Sequence, residues 1–141
     1  MSKSDDARDD ARDGALVQAA IAAMPEAYAP YSDFQVGAAI CDEAGIIHKG
    51  VNVENAAYPQ GSCAEAGAIA AMIIAGGRKI TAVAVAGRGE MLCTPCGGCR
   101  QRLREFAGPE TPIIICNEQG ERARFTLSAL LPHSFGPDNL S

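Results

Sequence analysis

Residues 64–86 read AEAGAIAAMIIAGGRKITAVAVA, and this stretch decides the fold class. Ala64 to Ala75 is rich in alanine, the strongest helix former, and Gly76-Gly77 stands where a helix C-cap favours glycine. Ile80 to Ala86 is then a near-continuous apolar run, the kind of strand buried on both faces of a sheet. A helix leading directly into a buried strand is the unit of an α/β domain.

On the N-terminal side, Gln35–Cys41 and Ile46–Val53 are short apolar runs with β-branched residues. They flank Asp42-Glu43-Ala44-Gly45, so they predict a hairpin. Before them lies the loop Ala29-Pro30-Tyr31-Ser32-Asp33. Further back, Leu16, Val17, Ala20, Ile21 and Met24 form a stripe at helical spacing, with Pro25 near its end. On the C-terminal side, Gly97–Ala107 carries Arg102, Leu103 and Phe106 at helical spacing and is closed by Gly108-Pro109. Pro112–Cys116 is a fourth strand candidate. Glu118-Gln119-Gly120-Glu121 is a turn, Arg122–Phe125 a fifth strand, and Thr126 caps a short helix ending at Leu131-Pro132. The order is helix, hairpin, helix, strand, helix, strand, strand, helix. That order predicts a mixed five-stranded sheet with helices on its faces.

The chain has 141 residues, one domain's worth, and is long enough to bury a core without disulfides. Residues 5–12 repeat Asp-Asp-Ala-Arg twice, stacking like charges at i,i+4. Residues 1–13 are therefore expected to be a disordered or weakly helical acidic extension, with the folded domain at 14–141. A net charge of −5 argues against nucleic acid or an anionic membrane as partner. The longest apolar run, Ala66 to Ala75, has ten residues, whereas a spanning helix needs about 20. The first residues carry no apolar signal-peptide core, so the expected compartment is the cytoplasm, where thiols stay reduced.

Six cysteines then read as metal ligands or reactive thiols before they read as disulfides. Cys96-Gly97-Gly98-Cys99 is a C-x-x-C at the start of a helix, after Pro95. Cys63 opens the preceding helix, 33 positions earlier, with one strand between. A helix N-terminus favours a thiolate through its dipole and free N–H groups. If the two loops lie side by side at the ends of adjacent parallel strands, three thiolates converge. Three sulfurs with no fourth protein ligand are the pattern of a catalytic zinc. Glu65 then sits beside the metal without being needed as a ligand, placed to shuttle protons to and from an activated water. Two other readings use Cys93: Cys93-x-x-Cys96-x-x-Cys99 with Cys63 could bind an iron–sulfur cluster, or a structural four-sulfur zinc. Cys41 and Cys116 are expected to be buried small hydrophobes. His48 and His133 are expected at the surface or in loops, and Arg100, Arg102 and Arg104 on a helix surface or subunit contact.

Cys63-Ala64-Glu65 with Pro95-Cys96-Gly97-Gly98-Cys99 is a variant of the zinc deaminase signature. Together with Tyr31–Ala39, Asn52-Val53-Glu54-Asn55-Ala56, Arg100-Gln101, Leu130-Leu131-Pro132 and Phe135-Gly136-Pro137, it resembles the short, homotetrameric class of cytidine deaminases over Leu16–Leu140. The resemblance implies a three-layer α/β/α sandwich and one zinc per chain on Cys63, Cys96 and Cys99, with Glu65 as proton shuttle. It implies that Phe34 lines the base pocket and that Asn52 and Glu54 hold the ribose hydroxyls. Ala64 joins the substrate-binding set, and Ala56, Tyr58 and Phe135 help complete the pocket, partly across a subunit interface. The implied reaction is deamination of cytidine or deoxycytidine in pyrimidine salvage. Another aminopyrimidine nucleoside, such as a nucleoside antibiotic, is the nearest alternative substrate. A carboxylate at Glu54 would accept from a 3′-OH and repel a 3′-phosphate, which favours a free nucleoside over a nucleic-acid strand.

One position departs from the pattern. The family usually has Arg directly after Cys-Ala-Glu, hydrogen-bonded to the ligand sulfurs; this chain has Ala66-Gly67. Zn²⁺ with three thiolates has a formal charge of −1, so either the helix N-termini or another group such as Arg100 must offset it.

Overall fold

The computed structural model describes residues 3–141, with side chains from residue 6 onward. Its elements are α1 (Lys3–Ala23), β1 (Val36–Asp42), β2 (Ile47–Val51), α2 (Ala64–Ile74), β3 (Ile80–Gly87), α3 (Gly97–Arg104), β4 (Pro112–Asn117), β5 (Gly120–Thr126) and α4 (Leu127–Leu130). The strands form one mixed sheet in the order β2-β1-β3-β4-β5. β1 is antiparallel to both its neighbours, β3 and β4 are parallel, and β5 returns antiparallel to β4.

Strand alternation sorts the core onto two faces. Ala38, Ile40, Val83, Val85, Ile113 and Ile115 pack under Ala64, Ala68 and Met72 of α2, Leu103 of α3 and Leu127 of α4. The opposite face, with Ala39, Cys41, Ala82, Ala84, Ala86, Ile114 and Cys116, packs against Leu16, Val17, Ala20 and Met24 of α1. These are the three layers of an α/β/α sandwich, and Cys41 and Cys116 are buried as small hydrophobes. The α1 face of the sheet is mostly alanine and cysteine, which lets that helix lie close.

Two glycines set how near the helices come. A methyl group at Gly37 would lie 2.1 Å from the Ala20 carbonyl oxygen of α1, and one at Gly50 would lie 2.2 Å from the Ala64 carbonyl oxygen of α2. Both neighbours are backbone atoms and cannot give way without moving a helix. Gly50→Ala is therefore expected to destabilise the fold by about 1–3 kcal/mol through overpacking. It should also lower activity, because the turn it displaces carries Cys63 and Glu65. A urea midpoint matching that of the unaltered protein would contradict this.

Two expectations change. The boundary expected at residue 13 falls inside α1, which runs from Lys3 to Ala23, with Asp6, Ala7, Arg8, Asp10 and Ala11 exposed on it. Asp13 is buried, with its carboxylate 2.6 Å from Arg124 of β5 and 3.0 Å from Arg12; Arg12 also lies 3.5 Å from Asp9. These pairs offset the like-charge stacking that the repeat imposes and tie the helix to the sheet.

His48 is the second change: it is buried, not at the surface. Its Nε2 donates to Asp42 Oδ2 at 2.8 Å, while Asp42 Oδ1 accepts from the N–H groups of Ala44 (2.8 Å) and Ile46 (3.0 Å) across the hairpin turn. Burial works against the Asp42 charge, but the bonds from His48, Ile46 and Ala44 outweigh it and hold the carboxyl below its ordinary value. Asp42→Ala is expected to cost about 1–3 kcal/mol, since it leaves the buried His48 donor unpaired and frees the Ala44 and Ile46 N–H groups of the turn. The folded-state value lies below the unfolded one. The contribution is therefore complete above the ordinary value of 3.8 and is lost as pH falls through the lower folded-state value. Urea titrations at neutral and acid pH should show the difference between the two proteins shrinking toward acid.

Candidate metal centre and active site

The site forms where α2 and α3 begin. Val51 at the end of β2 is level with Gly37, and Gly87 at the end of β3 is level with Val36, so both strands end at the same edge of the sheet. The two loops that follow therefore meet there. Their strands are not adjacent parallel neighbours, as expected from the pattern, but lie on either side of antiparallel β1. The start of β1 is thereby brought into the site between them.

Cys63 is the N-cap of α2 and Cys96 the N-cap of α3, with Cys99 one turn further on. The three Sγ atoms lie within 4.8 Å of one another, and Cys63 and Cys96 are 3.8 Å apart. A tetrahedral zinc with Zn–S bonds of about 2.3 Å places its sulfurs about 3.8 Å apart, so the residues fit the ion. Cys93 is not in the cluster: it sits over Gly87, beside the Phe34 ring. Both four-sulfur readings lose their fourth ligand. The cluster has three protein donors, which leaves a coordination position free for chemistry.

The thiols differ in acidity. At Cys96 burial opposes the charge, but bonds from the Cys99 N–H and from the neighbouring thiols pull the thiol below its ordinary value. Burial pushes Cys63 and Cys99 up, and Cys93 up to about 11. The helix N-terminus favours a thiolate at Cys96 as expected, whereas at Cys63 burial prevails.

Glu65 lies in the first turn of α2 and is 4% exposed. Burial raises its carboxyl above the ordinary value, opposed by its backbone, the Cys99 thiol and the charge of Arg102. It lines a small cavity of about 180 Å³ with Val36, Asn52, Cys63, Ala64, Cys93, Thr94 and Cys96. Small-molecule pockets usually run from about 300 Å³ upward, so this cavity is small for a ligand site.

Of the expected substrate-binding residues, Asn52 and Ala64 line that cavity. Asn52 forms part of its wall; Nδ2 donates to the Phe34 carbonyl at 2.9 Å and Oδ1 accepts from the Val36 N–H at 2.8 Å. Each group retains one further hydrogen-bonding capacity. Glu54 lines a second, open cleft of about 390 Å³ with Tyr31, Ser32, Asn55, Tyr58 and Gly61. Its Oε1 accepts from the N–H groups of Tyr31 (2.9 Å) and Ser32 (3.1 Å), and its Oε2 accepts from the Ser32 hydroxyl. The Ser32 hydroxyl and N–H, and then the Tyr31 N–H, hold Glu54 below the ordinary carboxylate range. Tyr58 is 79% exposed and meets Tyr31 edge-to-face at 6.2 Å. Phe34 packs over Gly87 outside the cavity wall, and Ala56 is exposed. Phe135 is exposed too, held through its carbonyl by Gln101 at 2.8 Å in a separate depression near the C-terminus. One chain thus brings Cys63, Ala64, Glu65, Cys96, Cys99 and Asn52 together. It does not bring Ala56, Tyr58 or Phe135 to them.

The arginines differ from expectation. Arg100 does not reach the sulfurs: its guanidinium donates to the carbonyls of Pro95 (2.7 Å) and Leu130 (2.8 Å) and to Thr94 Oγ1 (3.3 Å), bracing the loop before α3. Arg102 Nη1 lies 3.8 Å from Cys99 Sγ. The i,i+3 spacing of Cys99 and Arg102 on a helix was the signal for that contact.

Comparison with known proteins points the same way. The cytidine and deoxycytidylate deaminase zinc-binding region matches residues 10–115. A cytidine deaminase of Sporosarcina psychrophila is 40% identical over 119 residues, 84% of this chain and 88% of its own. One of Halalkalibacterium halodurans is 38% identical over 126 residues, 89% and 96% of the two chains. A 1.6 Å crystal structure of cytidine deaminase from Burkholderia pseudomallei superposes with a TM-score of 0.80 at 41% identity, covering 86% of this chain and 97% of that one. With its three-sulfur cluster, its unligated buried Glu65 and these relatives, the chain belongs to the zinc-dependent cytidine and deoxycytidylate deaminase family.

Proposed function

We propose that this chain hydrolyses cytidine and deoxycytidine to uridine and deoxyuridine, releasing ammonia. The observation that carries the reading is Glu65, buried beside three metal-competent sulfurs and lining a small cavity. Zinc held by Cys63, Cys96 and Cys99 supplies Lewis acidity, lowering the pKa of water from 15.7 to about 7. Glu65 takes a proton from the attacking water and carries it to N3 of the cytosine, which makes C4 more electrophilic. After attack at C4 it takes the second proton from the new C4 hydroxyl, which becomes the carbonyl, and delivers it to the amine as the C4–N bond breaks, so one carboxylate is base and then acid. The raised carboxyl of Glu65 suits both roles. The relatives' names favour cytidine over other aminopyrimidine nucleosides.

Asn52 uses its remaining hydrogen-bonding capacity, and Glu54 its carboxylate, to hold the ribose in the cleft outside that cavity. The Tyr31 and Ser32 contacts keep Glu54 ionised and oriented, and its charge disfavours a 3′-phosphate. Ala64 packs against the base from the first turn of α2. Phe34 lines the base pocket beside Asn52 and Cys93, and Ala56, Tyr58 and Phe135 help complete the site, partly across a subunit interface of a homotetramer. Large exposed apolar groups at Phe34, Tyr58 and Phe135 support that assembly. Among the described residues no helix is long and apolar enough to cross a membrane. The proposed setting of the reaction is pyrimidine salvage in the cytoplasm.

The test is loss of ultraviolet absorbance on zinc-replete protein with cytidine, with ammonia release measured in parallel. Turnover of free cytidine and deoxycytidine without turnover of single-stranded DNA is expected. Full zinc occupancy with no turnover of any cytosine nucleoside would overturn the reading, as would equal rates on single strands. Sedimentation at the mass of four chains checks the assembly.

A further inference from the structure

Arg102 stands three residues after Cys99 on α3, so the two side chains share one face of the helix. Its Nη1 approaches Cys99 Sγ to 3.8 Å. The guanidinium lies across Gly98, where a methyl group would come within 3.2 Å of Nη1. Among the described residues Arg102 forms no carboxylate ion pair within 4 Å; its close polar contact is Cys99 Sγ, and its charge also reaches the Glu65 carboxyl. Arg100, its neighbour two positions back, is held by Pro95, Leu130 and Thr94.

We propose that Arg102 is the positioning residue that neutralises the thiolate cluster, supplying from α3 the charge that an arginine at position 66 would supply from α2. The inference rests on Cys63, Cys96 and Cys99 being the zinc ligands. Three thiolates and Zn²⁺ leave a formal charge of −1, and one guanidinium returns the site to neutrality. The two positions share a spacing, not a helix register: residue 66 is three after Cys63 and Arg102 three after Cys99, with Arg102 one turn deeper into its helix than residue 66. Each projects from the first turns of a helix whose N-terminus faces the other's. A cation on either helix reaches a ligand sulfur without entering the substrate cavity, and neither residue lines that cavity. Ala66 is therefore a relocation of the charge and not a loss of it. The sulfur reached is Cys99, the most buried of the three.

The test compares the full-length protein with R102A, R102K and the double variant R102A/A66R. Zinc affinity is measured by competition with a chromophoric chelator, and the thiolate-to-metal absorption bands are recorded after substitution with cobalt. R102A is expected to bind zinc about 10–100-fold more weakly and to shift the cobalt bands. R102K should recover part of the affinity, since it keeps the charge without the planar fork. A66R in the R102A background should recover most of it. Melting of the zinc-free proteins should be alike, because Arg102 is exposed. If R102A alters the fold, R102M keeps the side-chain stem and repeats the measurement. Zinc affinity within about twofold of the unaltered protein and unmoved cobalt bands would overturn the inference. So would weakened binding that neither R102K nor A66R restores. An unaltered protein that binds no zinc would instead overturn the ligand assignment beneath it.

Discussion

Glu65→Ala is expected to retain zinc and fold and to lose at least about 10²-fold in kcat, the low end for general acid–base catalysis. The two halves of that expectation have separate grounds. Glu65 is not a member of the three-sulfur cluster, so its removal leaves the donor set intact. It is also 4% exposed with its carboxyl raised by burial, so the folded state gains little from its charge. Removing a poorly solvated carboxylate is close to neutral for stability or favourable. Activity responds differently, because among the cavity-lining residues it is the one carboxylate. No other carboxylate there can collect the proton from water and return it to the amine. Glu65→Gln sharpens the comparison: it keeps the shape and the hydrogen-bonding capacity and removes only proton exchange. Both variants should show one zinc per chain by metal analysis alongside the lost turnover. A near-normal kcat in either would refute the role.

Cys99→Ala is expected to abolish stoichiometric zinc binding, with an activity loss beyond the 10–100-fold seen when outer groups around a metal are changed. Cys99 is fully buried in α3 and donates the innermost sulfur. Its loss leaves two donors, one at each helix start, where the ion needs at least three protein ligands to hold an open catalytic position. Zinc binding also stabilises the folded chain by mass action, about 4 kcal/mol at a thousandfold excess over the dissociation constant. The variant should therefore melt at the temperature of the zinc-stripped protein and fail to respond to added zinc. Cys93→Ala is the counterpart: it should keep one zinc per chain, because Cys93 lies over Gly87 outside the cluster. Zinc loss in Cys93→Ala would restore the four-sulfur reading.

The sequence made the strands and the helices, apart from the first half of α1, legible, because each is written in a local pattern. The alanine-rich run ending at Gly76, the β-branched run of β3 and the turn residues around Gly45 and Gly120 act within a few positions. The ligand set was legible for a related reason: Cys96 and Cys99 share a helical turn, and Cys63 occupies the same helix-start position one unit earlier. What misled was context. The acidic repeat ends next to Asp13, whose burial is seen only when Arg124, far along the chain, takes its carboxylate. His48 reads as a surface residue until Asp42 is seen to bury it.

By itself, then, the sequence determined the elements, the three sulfurs and the carboxylate beside them, since these depend on neighbours one helical turn or one strand repeat away. Only the tertiary structure decided which loops meet. It put antiparallel β1 between β2 and β3, so that Val36 and Asn52 wall the cavity. It let Gly37 and Gly50 bring two helices onto the sheet, clamped Glu54 under the N–H groups of Tyr31 and Ser32, and turned Arg102 rather than Arg100 toward sulfur. Sheet order and helix approach are set by packing between segments far apart in the chain, and no local window of residues contains that information.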